Sequence, residues 1–296
     1  QGATRSSQWS ELFHSSHSGD ILLMFLEQVA LVPSPAVRSQ ALAFALGYAS
    51  HIAADLALNP WISALATLLP RQRAAKAHSY IELRLDEYLA TSYFDHPRYN
   101  LLRQPWGAYI EPAARDLQQP GTLAAQILRL LAISAEVYNL DEQTTEALPG
   151  DFLAGLQGLR LFLAGRGHAR WLTLRARQRG EPQDLVSQVL AKPQSDAEIL
   201  ALDKVLHYAF RLSTHFCQRA LNYYTALRNP QAEASERSTR RAALIHDLRN
   251  WNLHTGYDTG EQEHAQPLHN WVHFADLWEQ TDHEQQQFSK YILPAT

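Results

Sequence analysis

Apolar residues return at three- and four-residue spacing along most of the chain, in stretches rich in Ala, Leu, Gln, Glu and Arg with few β-branched runs. That periodicity predicts an all-α protein, a multi-helix bundle. Helices are expected at about 19–31, 35–58, 73–92, 121–139, 148–165, 195–228 and 270–291. Shorter ones are expected near 107–117, 168–178 and 182–191. Breaks fall at Pro33 and Pro35, Asn59-Pro60, Pro120-Gly121, Pro149-Gly150 and Pro193–Ser195, where proline or glycine interrupts the pattern. Segments 229–240 and 256–268, rich in small and polar residues, read as surface connections, the second as a flap. A soft division near 141–150 separates a region 1–145 from a helical region 146–296 packed on it, best taken as one continuous domain.

Within this helical pattern one stretch breaks the rule that polar groups face water. In Phe44-Ala45-Leu46-Gly47-Tyr48-Ala49-Ser50-His51-Ile52-Ala53-Ala54-Asp55, an imidazole and a carboxylate stand four apart in an apolar helix. Four residues is about one turn, so both project from one face. His78 and Glu82 repeat the spacing, with Asp86 one turn further along. A buried carboxylate needs a compensating partner, and a metal ion is one. Each pair alone is also an ordinary i,i+4 helix contact; the occurrence of both on successive helices favours two antiparallel helices offering four ligands to one space. The interruptions at His51, Asp55, Asn59 and Pro60 also argue against a membrane span over the apolar run 41–69.

Composition adds three constraints. Of 296 residues, 46% are hydrophobic, enough for a sizeable core. The net charge is only -4, which gives no basic field for duplex nucleic acid, and the basic run Glu236–Arg241 reads as a solvated face. The single cysteine, Cys217, excludes an intrachain disulfide and a cysteine-rich zinc site and reads as a buried small residue, whereas the 14 histidines raise the prospect of a metal site. From Gln1 onward there is no charged-then-apolar leader, and the compartment, secreted, periplasmic or cytoplasmic, stays open.

The run Gly47–Asp55, followed by Asn59-Pro60 and then by Ala77-His78 with Glu82, resembles the zinc-dependent phospholipase C family. The likeness extends to the amino-terminal domain of glycosylphosphatidylinositol-specific phospholipase D and to the related single-strand-specific zinc nucleases. It covers roughly residues 8–92. It implies a helical protein holding one to three Zn2+ or other divalent ions and hydrolysing a phospholipid or other phosphodiester with a metal-activated water, in transient contact with a membrane surface. The implied metal ligands are His14, His51, Asp55, His78 and Glu82, with Asp55 bridging two ions or orienting the nucleophile. Asp55 and Glu82 are the implied catalytic carboxylates. His17 is a poorer match than His14, and Asp20 and Asp86 are reserve carboxylates.

Two departures stand out. Where relatives carry a histidine one turn after the Asp, this chain has Asn59, and Gln1–Trp9 shows no clear counterpart of the family's amino-terminal ligands. The alternative is therefore a metal-binding or interaction protein on the same scaffold with impaired catalysis. A helical di-iron protein is a third class, but the expected Glu-x-x-His pair is missing from these two helices. Trp61, Tyr80, Tyr88, Tyr93 and Phe94 either pack the core or stack a base or choline-like group. The later histidines His207, His215, His246, His254, His264, His269 and His273 lack metal-pair spacing and read as structural or surface groups. Of these, His254 is singled out by its glycine-bearing loop.

Overall fold

A computed structural model describes residues 12–67, 78, 81–82, 85, 123–147, 150–151, 154, 202–258 and 269–283. Among them 82% are helical and 3% are strand, consistent with the all-α class. The named elements are α1 (Ser18–Ala30), α2 (Pro35–Thr67), α3 (Leu123–Val137), α4 (Leu202–Arg228) and α5 (Ala234–Leu248). A two-stranded hairpin, β1 (Trp251–Asn252) and β2 (Tyr257–Asp258), precedes α6 (Asn270–His273) and α7 (Ala275–His283). The hairpin is antiparallel, with Trp251 opposite Asp258.

The core is built where two helical stripes meet. On α2 the buried positions are Ala41, Ala45, Ala49, Ile52, Ala53 and Leu56, a mostly alanine face that lets another backbone approach closely. Tyr208, Leu212, Phe216, Ala220 and Tyr223 form the facing stripe of α4 and belong to the same core. α1 lies between α2, α3, α4 and α5, and its Ile21, Leu22, Phe25 and Leu26 have no solvent exposure. Residues 35–64 of α2 are long and apolar enough to cross a membrane, and 39% of their apolar window is buried against the rest of the protein.

Pro35 begins α2, where its missing N–H costs nothing. Asn59-Pro60, expected as a break, does not end this helix: α2 runs on to Thr67 with Pro60 inside. A proline there removes the N–H that would bond the carbonyl of Leu56. Asn270 replaces it, its Nδ2 donating to Leu56 O at 3.0 Å. Asn270 is fully buried, and its Oδ1 accepts the Tyr208 hydroxyl at 2.8 Å.

Other expectations need adjustment. Segment 229–240 is a connection only at its start, because α5 begins at Ala234; the outer face of this helix is so polar that only Leu244, Asp247 and Leu248 are buried. The expected helix 270–291 is divided at Phe274, and its part beyond residue 283 lies outside the described residues. So do 107–117, 168–178, 182–191, residues 195–201 and most of 73–92 and 148–165. Residues 78, 81, 82, 85, 150, 151 and 154 within those last two segments are helical.

Candidate metal centre

Tyr48, His51, Asp55 and Asn59 follow one another at three- and four-residue steps on α2, beside the alanine stripe that packs on α4. Docking that stripe fixes the height and rotation of Asp55. The helical turn over residues 12–15 approaches from the other side and brings His14 in. His14 Nε2 lies 3.0 Å and His51 Nε2 3.5 Å from the same oxygen, Asp55 Oδ2. One donor atom from each of His14, His51 and Asp55 lies within 4.8 Å of the others.

These spacings suit a metal ion. Zinc bonds of about 2.1 Å in a tetrahedron separate neighbouring donors by about 3.4 Å, close to the two contacts above. Two imidazoles and one carboxylate also match the nitrogen and oxygen donors that zinc accepts. Asp55 and His14 are each 19% exposed and His51 is 49% exposed, so the group opens to solvent on the His51 side.

His14 is held by its backbone. The Tyr138 hydroxyl sits between the carbonyls of Leu12 and Ser16, at 2.7 and 2.6 Å, and its one proton serves both. The Leu253 N–H donates to His14 O at 2.7 Å, anchoring the hairpin to the same turn. That bond carries His254 over the centre, where its ring stacks on His14 with centroids 5.2 Å apart. The glycine-bearing loop marked in the sequence thus supplies a third imidazole beside the site. Its Gly256 adopts a left-handed backbone (φ 71), and a Cβ there would meet Asn270 Nδ2 at 2.5 Å and Pro60 Cγ at 2.7 Å.

His78 and Glu82 form the second predicted pair, with Nε2 and Oε1 3.3 Å apart. They are not members of the three-residue group. Donating to the Glu82 carboxylate raises the His78 imidazole above its ordinary value against the opposing effect of burial, and Asp55 and His14 lie near enough to act on its charge. The pair therefore flanks the His14–His51–Asp55 group.

Tyr48 contributes a buried hydroxyl with no hydrogen-bond partner among the described residues. Burial, with Tyr138 and Asp55 adding to it, pushes this phenol well above its ordinary value, so it stays protonated. Asn59 is buried one turn beyond Asp55. His17 and Asp20 belong elsewhere: His17 Nδ1 is 2.9 Å from Asp20 Oδ2, which also accepts Asn250 Nδ2 at 2.8 Å. Trp61 is buried, whereas Tyr80, Asp86, Tyr88, Tyr93 and Phe94 lie outside the described residues. Compared with known protein families, curated proteins and solved structures, the chain matches none.

Proposed function

We propose that this chain is a metal-dependent hydrolase of phosphodiesters, of the phospholipase C type that its sequence resembles. The observation that carries the reading is the convergence of His14 and His51, from separate elements, on one oxygen of Asp55. His14, His51 and Asp55 would hold one zinc-like ion, and His78 with Glu82 would serve a neighbouring one or remain beside it as a hydrogen-bonded pair. When bound, such an ion supplies Lewis acidity that makes water nucleophilic near pH ~7 and offsets charge on the phosphoryl oxygens. Asp55, buried on its helix side, orients the reacting groups. Glu82, at the solvent edge, is placed to accept a proton.

The decisive experiment measures metal content and hydrolysis of bis(p-nitrophenyl) phosphate and of phosphatidylcholine micelles, in the native chain and in Asp55→Asn. The native chain is expected to carry zinc and cleave at least one of these substrates; Asp55→Asn should lose the zinc held by the His14–His51–Asp55 group together with the hydrolysis, and keep its helical circular dichroism. A zinc content in Asp55→Asn no lower than in the native chain would overturn the ligand assignment. Bound metal with no turnover of any phosphodiester would instead identify a binding protein on this scaffold. Imidazole ligands must be neutral, so metal occupancy and activity should both decline on acidification.

A further inference from the structure

A second group of donors lies at the far end of α5. His246 and Asp247 stand in its last turns and His273 closes α6. One donor atom from each lies within 4.8 Å of the others. His246 Nδ1 is 3.0 Å from Asp247 Oδ1, again near the edge of about 3.4 Å expected between neighbouring ligands of a tetrahedral ion.

The surroundings of the group are built in the manner of a ligand shell. Asp247 is buried, and its second oxygen, Oδ2, accepts His215 Nε2 at 2.8 Å and Arg219 Nε at 2.7 Å. Those bonds hold the carboxylate from behind and leave Oδ1 turned towards His246; outer hydrogen bonds of this kind orient metal-binding carboxylates. The Trp251 indole donates to the Asp247 carbonyl at 3.1 Å and steadies the helix end. His273 supplies the independent sign of a missing partner. Its Nε2 is buried and has no hydrogen-bond partner among the described residues, a costly state for a ring nitrogen. Its ring lies 4.9 Å from that of His246 and is packed by Trp251 and Phe274.

We infer that His246, Asp247 and His273 form a second metal site, one that takes a single divalent transition ion such as zinc. Two imidazoles and one carboxylate disfavour magnesium and calcium, which take oxygen ligands, and monovalent copper, which takes sulfur. The exposed His246, 67% accessible, leaves a side of the site open for a further ligand from solvent. Arg219 shares the carboxylate, so the site is weaker than one with an undivided Asp.

The test is independent of any hydrolytic activity. Chelator-stripped full-length chain is titrated with Zn2+, and bound zinc is counted by elemental analysis after desalting, for the native protein, His246→Ala, His246→Gln and His273→Ala. Each substitution is expected to remove one equivalent of zinc. His246 is exposed, so its two variants should keep the melting temperature of the stripped native chain, and they decide the matter if His273→Ala fails to fold. Co2+ bound in place of zinc should lose the matching share of its visible absorption. Zinc content unchanged in both His246 variants would overturn the inference, and so would a native chain that retains no zinc at all.

Discussion

The side-chain amide of Asn270 donates to the carbonyl of Leu56 at 3.0 Å, the same carbonyl that Pro60 deprives of its helical donor. α2 can therefore pass through Pro60 instead of stopping there, and the turn beyond Asp55 stays helical. Asn270 does more than patch one bond. Its Nδ2 also donates to Gly256 O at 3.2 Å and its backbone N–H to the same oxygen at 2.9 Å, joining α2, the hairpin and α4 at one buried point.

Asn270→Ala is expected to destabilise the fold by on the order of 3 kcal/mol, because buried carbonyls and the Tyr208 hydroxyl lose their partner. Pro60→Ala restores an N–H to the helix, so in that background the cost of Asn270→Ala should shrink. Urea denaturation of the two single variants and the double variant measures the coupling. Strictly additive effects would show that the amide does not compensate for the proline.

Gly19 and Gly256 are both places where a methyl group has no room. A Cβ on Gly19 would meet Arg249 O at 1.9 Å, and one on Gly256 would strike Asn270 and Pro60 while requiring φ 71. Gly19→Ala and Gly256→Ala should each cost about 1–3 kcal/mol. Gly47→Ala, with nothing within 4 Å of the added carbon inside a helix, is the control and should raise stability by about 0.5–1 kcal/mol.

Tyr138 bears on the candidate metal centre through the turn that carries His14. Tyr138→Phe removes the proton shared by Leu12 O and Ser16 O and is expected to weaken zinc binding at the first centre about tenfold, the low end for lost outer contacts. The second group, His246–Asp247–His273, should be untouched. Zinc titration that leaves affinity at the first centre unaltered would show that the turn is held without this hydroxyl.

Burial depresses the His269 imidazole to about 4, whereas an unfolded histidine titrates near ~6.5. Between those values the unfolded chain binds a proton that the folded chain refuses, so stability contributed by this group is present above pH ~6.5 and is lost as pH falls towards 4. Urea midpoints measured across that window should decline less steeply for His269→Gln than for the native chain. Equal slopes would mean that His269 takes up its proton alike in the folded and the unfolded chain.

The helical class and the pairing of His51 with Asp55 were legible because both are local: a 3.6-residue period and a four-residue spacing are properties of one helix. His14 was reachable only through resemblance, since its contact with Asp55 crosses between elements. His246–Asp247–His273 escaped notice for a related reason. Two members are adjacent in sequence, the third comes from another helix, and only the end of α5 against α6 brings them together. α5 itself was hidden by its polar outer face, and the passage through Pro60 by a compensating amide supplied from 214 residues away. Local patterns survive in sequence, whereas partners recruited by packing leave no spacing to read.

The seam between the His14 turn and the hairpin joins segments that emerge far apart during synthesis. Ser18 bonds Trp251 and Asp20 bonds Asn250, over separations of 233 and 230 residues. Contacts of such span form late, because the closure of so long a loop must precede any return from it. A nascent chain ending before the hairpin would already own His51 and Asp55 but could not clamp His14 against them. If the proposed centre takes its ion, capture there would thus wait on this late docking, and cation supply would act on the last step of maturation, leaving the first untouched.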